Sequence, residues 1–209
     1  LRLYRRWGGT FPVAYRERTT AGAAVADVLK IDALDAARPF ALSFYRPLGA
    51  EADRFGFKIY RRGQPVALTE SLPMLEHMGV RVLSENRHRI GGEGDAVWLH
   101  DFAMQAQVVE DAELETLARL FEDAFAAVFA GRVDNDDFNR LVLRAGLSAD
   151  EVVVLRAYAR YFRQIGFPLS QSFIEATLAA HPRLAHMLVN YFRLRFDPAA
   201  ADAEAAARQ

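Results

Sequence analysis

Apolar and polar residues alternate with two different periods in the first half of the chain. Helical spacing of the apolar residues predicts helices over residues 2–7, 11–18 and 20–31. Phe40–Tyr45 and Phe55–Tyr60 instead place apolar side chains at every second position, which is typical of half-buried strands. Short helices and a sheet are therefore expected together in this half.

The same patterns predict which side chains face the core. Thr20 is the expected N-cap of the third helix. The inward positions are Val25, Val28, Leu29 and Ile31 in that helix, and Phe55, Phe57 and Ile59 in the second strand. Lys58 and Tyr60 fall on the opposite, more polar face of the strand.

The stretch from Ser71 to Phe102 is predicted to contain a short helix and a β-hairpin. Pro73 suits the first turn of that helix, and Gly79 ends it. Strands are expected over residues 80–87 and 96–105, joined by the glycine-rich turn GGEGD. With one further strand ahead of the first residue, the order becomes βαββαβ plus an extra hairpin strand. This order predicts a ferredoxin-like α+β sandwich.

From Val109 onward the spacing of the apolar residues is helical. Ser148 and Glu151 form a capping-box pattern, and Asp134–Asp137 is interpreted as the capped start of a short helix. The predicted inward positions are Leu114, Leu117, Phe121, Phe125, Val128, Phe138, Leu141, Val142, Val152, Leu155, Ala159, Phe162, Phe173, Ile174, Leu178, Leu184, Leu188, Tyr191 and Phe192. An α+β domain over residues 1–108 is thus expected to precede an all-α helical bundle domain over residues 109–209.

Charge and cysteine content narrow the classes of function. The formal net charge is −1 and neither half is strongly basic, so no nucleic-acid partner is expected. The absence of cysteine excludes disulfides and thiolate chemistry and fits a cytoplasmic location. No apolar run reaches the roughly 20 residues of a membrane span, so no membrane partner is expected. A first residue other than Met and the alanine-rich ending ADAEAAARQ indicate a piece of a longer polypeptide.

Candidate chemical motifs fail on their spacing. GGEGD joins two strands, whereas a dinucleotide fingerprint leads from a strand into a helix. His181 and His186 are five residues apart and lie on different helix faces, unlike a zinc-binding pair. His100 and Asp101 are neighbours in a strand and point to opposite faces, so they do not form a base and its orienting group. Asp134–Asp137 resembles the start of a calcium loop, but the following residues do not fit one.

Lysine is scarce, which argues against an active site built on paired lysines. The chain has Lys30 on a predicted surface helix and Lys58 in a predicted strand. Together with the failed motifs, this leaves no catalytic, cofactor-binding or metal-binding residue predicted within the chain.

One strand leaves an alternative function open. FGFKIY, at Phe55–Tyr60, resembles the RNP1 motif of RNA-recognition domains, which share the βαββαβ order and stack bases on exposed aromatic rings. Against this interpretation, Lys58 and Tyr60 form the more polar face, so Phe55 and Phe57 are expected to point inward. A nucleic-acid-binding domain that uses this strand is therefore kept as the alternative hypothesis.

Collinear blocks along the chain resemble one family. They read FPVAYRER, KIYRRGQPVALTESLPMLE, LPMLEHMGVRVLSENRHRI with VWLHDF, FNRLVLRAGLSADEVVVLRAYARYFRQ, SQSFIEATLAAHP and LVNYFRLRFDP. These blocks are similar to the non-catalytic part of the large NAD-specific glutamate dehydrogenases of bacteria.

The resemblance implies an ACT-like domain and a helical domain immediately upstream of a catalytic domain in the same polypeptide. The parent enzyme would oxidise L-glutamate to 2-oxoglutarate and ammonium with NAD. The residues that bind glutamate and NAD would lie beyond Gln209, so no cofactor is expected in this segment. The segment's implied role is structural and regulatory, in a homo-oligomer, with a small-molecule effector such as an amino acid as a further expectation.

Overall fold

The computed structural model describes residues 2–92, 94, 96–110 and 112–196. Backbone contacts divide the chain into two compact units: the chain up to Pro73 with Arg81–Gln105, and Met74–Val80 with the chain from Ala106. The domain limits given above, 1–108 and 109–209, stay a prediction. The alanine-rich ending, two residues of the GGEGD turn and the expected helix break at residues 197–198 lie outside the described residues.

The described residues up to Ala106 form four helices and four strands. In order they are α1 (Arg2–Trp7), α2 (Val13–Arg18), α3 (Ala21–Asp32), β1 (Phe40–Tyr45), β2 (Arg54–Arg62), α4 (Leu68–His77), β3 (Val80–Ile90) and β4 (Val97–Ala106). Thr20 caps α3 by accepting a hydrogen bond from the backbone N–H of Ala23. Gly79 follows α4 at φ +79°, a conformation that favours glycine. The predicted α+β class is confirmed.

The four strands form one sheet in the order β1-β2-β4-β3. β2 pairs antiparallel with both β1 and β4, with Phe57 opposite Phe44 on one side and Phe102 on the other. The strand expected as an extra at the end of a hairpin, β4, therefore lies inside the sheet between β2 and β3. That inner place is the one a βαββαβ fold gives to its first strand, and here β4 occupies it.

Both faces of β2 are buried. Phe55, Phe57 and Ile59 point into the core as predicted, with no more than 1% of each residue exposed. The opposite face is not a polar surface, because Tyr60 packs in a cluster with residues of the N-terminal helices and their loops, of β3 and of β4. This helix-side cluster contains Trp7, Phe11, Tyr15, Ile31, Leu34, Tyr60, Ile90, Val97 and Leu99.

Two helices differ from their predicted form. In α3, Val25 and Leu29 are exposed, whereas Asp27 and Ile31 are buried. A carboxylate thus lies at an inward position that the apolar pattern had not assigned to the core. In α4, Pro73 lies inside the helix rather than in its first turn, because the helix already begins at Leu68.

The second unit is helical. It contains α5 (Leu114–Phe129), a 3₁₀ turn (Asp137–Arg140), α6 (Leu141–Ala145), α7 (Ala149–Gln164), α8 (Gln171–Ala180) and α9 (Pro182–Phe196). The predicted capping box at the start of α7 is present, with Ser148 and Glu151 each bonding the other's backbone N–H. α6 contacts α5, α8 and α9, so this short helix lies at the centre of the unit.

The predicted core of this unit is correct for most positions up to Ala159 and for Leu178, but wrong for most positions of α9. Phe121, Phe125 and Phe138 are fully buried. By contrast, the side chains expected to face inward but found exposed are Leu114, Phe162, Phe173, Leu184, Leu188 and Tyr191. α9 instead turns its small residues Ala185 and Val189 to the interior.

Candidate functional site

A buried carboxylate lies between α2, α3 and β2. Asp27 of α3 is 2% exposed and accepts hydrogen bonds at both oxygens. Lys58 Nζ donates to Oδ1 at 2.9 Å and to Oδ2 at 2.7 Å. Tyr60 Oη donates to Oδ1 at 2.6 Å, and Tyr15 Oη donates to Oδ2 at 2.5 Å. One cation and two hydroxyls thus compensate the charge that the fold has removed from water.

A second carboxylate extends this cluster toward β1 and β4. Asp101 Oδ2 lies 3.9 Å from Lys58 Nζ, and Asp101 Oδ1 accepts from Tyr45 Oη at 2.9 Å. The Tyr45 ring also lies 5.3 Å from Lys58 Nζ. A Cβ on Gly56 would overlap this ring, so the glycine in β2 is what gives Tyr45 its place. We call Tyr15, Asp27, Tyr45, Lys58, Tyr60 and Asp101 the Asp27 cluster.

Burial raises the pKa of several groups in this cluster. Desolvation, helped by the neighbouring Asp27, raises the pKa of Tyr15 and of Tyr60 far above the usual range. Burial also raises the pKa of Asp101, although the nearby Lys58 works in the opposite direction. The phenols therefore stay protonated and act as donors. With Asp27 saturated by donors, the arrangement holds elements together and leaves no free base on that carboxylate.

His100 of β4 has its two ring nitrogens in different roles. The backbone N–H of Val66 donates to Nε2 at 3.1 Å, so Nε2 must be an acceptor. Nδ1 lies 2.8 Å from Glu85 Oε1 and donates to it. Desolvation lowers the pKa of His100, while its bond to Glu85 opposes that shift. The neutral tautomer with a proton on Nδ1 is the form that satisfies both partners.

A buried arginine organises the second unit. Arg156 of α7 is 2% exposed and binds Asp136 through Nε and Nη2, both at 2.8 Å. Its Nη2 also donates to Asn139 Oδ1 at 2.9 Å. Asp136 in addition caps the 3₁₀ turn by accepting from the N–H of Phe138 at 3.2 Å, as the interpretation of Asp134–Asp137 predicted. Arg156 was not predicted from the sequence, although its place four residues after Val152 on the inward stripe was a signal.

A groove of about 800 Å³ opens beside the start of α9. Glu110, Arg144, His181 and Arg183 line it together with apolar residues. Arg144 Nη1 donates to the carbonyl oxygen of Ala179 at 3.2 Å. Charged groups of both signs therefore face one groove.

Two further features are a possible metal site and a possible membrane-spanning helix, and neither is found in the part of the chain that the structure describes. Among residues 2–92, 94, 96–110 and 112–196, no three His, Cys, Asp or Glu side chains are grouped to hold a metal ion. No helix within those residues has the length and apolarity needed to cross a membrane. His100 and Asp101 belong to separate hydrogen-bond networks, in agreement with their predicted opposite faces. That the segment contains no catalytic residue stays a prediction.

Three family models match the chain in order. They are described as glutamate dehydrogenase helical motif 2 over residues 1–34, the glutamate dehydrogenase ACT3 domain over residues 39–117, and glutamate dehydrogenase helical motif 3 over residues 133–198. The chain belongs to the glutamate dehydrogenase family. The ACT3 match covers the four strands and α4, and the helical motif 3 match covers the chain from the Arg156-binding turn to the end of α9.

Curated relatives agree with this membership. An NAD-specific glutamate dehydrogenase of Halomonas elongata is 41% identical over 197 residues, or 94% of this chain. Enzymes of the same name from Pseudomonas aeruginosa and Mycobacterium tuberculosis are 40% and 36% identical over 89% and 92% of the chain. In each case the chain spans 12% of the relative's length.

The RNA-binding alternative gains no support from these matches. Phe55 and Phe57, the rings that would stack bases, are buried to 1% and 0% exposure. An RNP1 strand needs exposed rings on an open sheet face. In this chain, β2 is a central core strand.

Replacing Lys58 tests the Asp27 cluster. We expect Lys58→Met to lower the free energy of unfolding of the first unit by about 3–5 kcal/mol, since Asp27 would stay buried without its cation. Lys30→Met is the matched control, because Lys30 donates one hydrogen bond to the Leu42 carbonyl at the surface and should cost about 1 kcal/mol or less. Urea unfolding followed by fluorescence of Trp7 and Trp98, the chain's two tryptophans, measures this unit. Equal losses for both variants would contradict the structural role.

His100 should make the first unit less stable in mild acid. Its folded-state pKa lies below the unfolded value of about 6.5, so its contribution is complete above that pH and falls as the pH drops below it. His100→Gln keeps an acceptor oxygen for Val66 but does not titrate, so the decline should be shallower. His88→Gln is the control. Burial also lowers the pKa of His88, so this substitution should remove only the pH dependence that His88 contributes and leave that of His100 in place. Urea midpoints between about pH 5 and 8 that fall equally in wild type and His100→Gln would refute this assignment.

Proposed function

We propose that this chain is a non-catalytic segment of an NAD-specific glutamate dehydrogenase. The complete polypeptide would oxidise L-glutamate to 2-oxoglutarate with NAD and release ammonium. The observation that carries the proposal is the match of nearly the whole chain to 12% of the length of three enzymes of that name. The residues that bind glutamate and NAD would lie elsewhere in the polypeptide.

The chemistry of the described residues supports a structural role for the segment. Asp27 is saturated by Lys58 and two tyrosines, and Arg156 is held by Asp136 and Asn139. Such groups stabilise the fold and are not available to a substrate. The segment would position the catalytic domain of the same polypeptide in a homo-oligomer, in the cytoplasm.

The groove beside α9 supports a regulatory role in addition. An amino acid carries an ammonium and a carboxylate, which match Glu110 on one hand and Arg144 and Arg183 on the other. The groove belongs entirely to the second unit. We propose an amino acid as the effector class for this groove.

The absence of catalysis is tested by an activity assay. We expect the 209-residue chain alone to produce no NADH from glutamate and NAD. Its buried charged groups are hydrogen-bonded to one another and are not available to a substrate. The complete polypeptide is expected to be active in the same assay. Glutamate-dependent NADH production by the 209-residue chain would overturn the proposal, and so would an inactive complete polypeptide that is folded.

The effector is tested by calorimetric titration of the same chain with a panel of amino acids and nucleotides. Binding of an amino acid is expected, and Arg183→Gln should weaken it about tenfold or more, the size of a lost charge-assisted hydrogen bond. Arg119→Gln, a change of the same chemistry on α5, should leave the affinity unchanged. No heat with any compound would leave the structural role alone.

A further inference from the structure

α9 carries its largest apolar side chains on the outside. The exposed positions are Leu184, Met187, Leu188, Tyr191, Leu194 and Phe196. Leu184, Met187, Tyr191 and Leu194 follow one another at intervals of three, four and three residues, which is the spacing of a seam in a helical coiled coil. Met187 is 66% and Leu194 75% exposed.

The interior side of α9 is built from smaller residues. Ala185 and Val189 are the buried residues of this helix. A helix that is apolar on both sides is normally covered on both sides, since one apolar stripe is enough to attach it to its own unit. The outer stripe is therefore in excess of what the second unit needs for its own packing.

α7 continues the apolar surface next to α9. Tyr158 of α7 meets Phe192 of α9 edge to face, with ring centroids 6.1 Å apart. Beside this pair lies an apolar groove of about 340 Å³, whose lining includes Phe162 and Leu188. Tyr161 and Ile165 extend the exposed apolar positions toward the end of α7. A continuous surface of this kind marks an interaction site in a soluble chain.

Charge indicates what covers this surface. α9 contains Arg183, Arg193 and Arg195 and no acidic residue over its whole length. Arg193 is paired with Glu151 at 3.0 Å. Two copies of α9 packed along the seam would bring cations together, whereas a helix with acidic residues beside its apolar stripe would complement them. A second copy of α9 is therefore disfavoured as the occupant.

We infer that the α7–α9 surface binds an amphipathic helix with acidic flanks, supplied by a part of the polypeptide outside these 209 residues. The inference rests on the proposed function, because it requires the longer polypeptide. The relatives leave ample chain for this, since 12% coverage makes them about eight times as long as the matched segment. Helix-in-groove recognition of this type reads apolar anchors at helical spacing.

The test is photo-crosslinking in the complete polypeptide. With p-benzoylphenylalanine in place of Met187, we expect a crosslink to one peptide outside the 209 residues that has heptad-spaced apolar residues and flanking Asp or Glu. The same photoreactive residue in place of Arg119, exposed on α5, is the positional control and should not label that peptide. A crosslink to α9 in a second copy, or to a non-helical or basic peptide, would overturn the inference. The absence of any crosslink to protein would overturn it as well.

A charge introduced into the seam provides a second readout. Met187→Glu should lower the midpoint of thermal unfolding of the complete polypeptide, because the carboxylate would be buried against apolar side chains. Met187→Leu, which keeps the side chain apolar, should leave the midpoint unchanged. A Met187→Glu midpoint equal to that of the wild type would show an uncovered surface and refute the inference. Glutamate-dependent NADH production by the wild-type preparation tests the proposed function separately, since the crosslink is read without activity.

Discussion

Burial of the Asp27 carboxylate is the constraint on which the first unit depends. A charge removed from water is tolerated where donors and an opposite charge surround it. Removing one partner from such a set costs far more stability than replacing the whole set with apolar side chains. Lys58 and Tyr60 come from β2, Tyr15 comes from α2, and Asp27 itself comes from α3. The cluster therefore specifies how two helices lie on one strand, which apolar contacts alone would leave less defined.

The local elements could be predicted because their signals are local. Thr20, Gly79 and the Ser148–Glu151 pair act on backbone groups within a few residues, and each does in the structure what its position indicated. The inner position of β4 could not be predicted in the same way, since strand order depends on pairing between distant residues. Asp27 was missed for a related reason: its partners are 12 to 33 residues away in the sequence.

The helical unit shows a different limit of periodic patterns. In α9, Ala185 and Val189 follow one apolar stripe, and Leu184, Leu188 and Tyr191 follow another. Both stripes have the period of a helix, so spacing alone does not show which of them meets the core. The prediction assigned the outer stripe to the core, and that choice was wrong because the smaller residues of α9 are the ones that pack in the interior of the unit. The family, by contrast, was recognisable from collinear blocks because they record ancestry over nearly the whole chain.

The buried charges of Asp27 and Lys58 serve the fold of this chain. A double-mutant cycle between Asp27→Asn and Lys58→Met, measured by urea unfolding, tests this structural role. The amide oxygen introduced by Asp27→Asn can still accept from a tyrosine hydroxyl, so the double variant removes both charges while it keeps an acceptor in the cluster. We predict that the double variant is more stable than the sum of the single losses implies, with a coupling energy of about 1–3 kcal/mol, and that the complete polypeptide carrying both changes keeps its activity. Additive losses, or a folded double variant without activity, would contradict that claim.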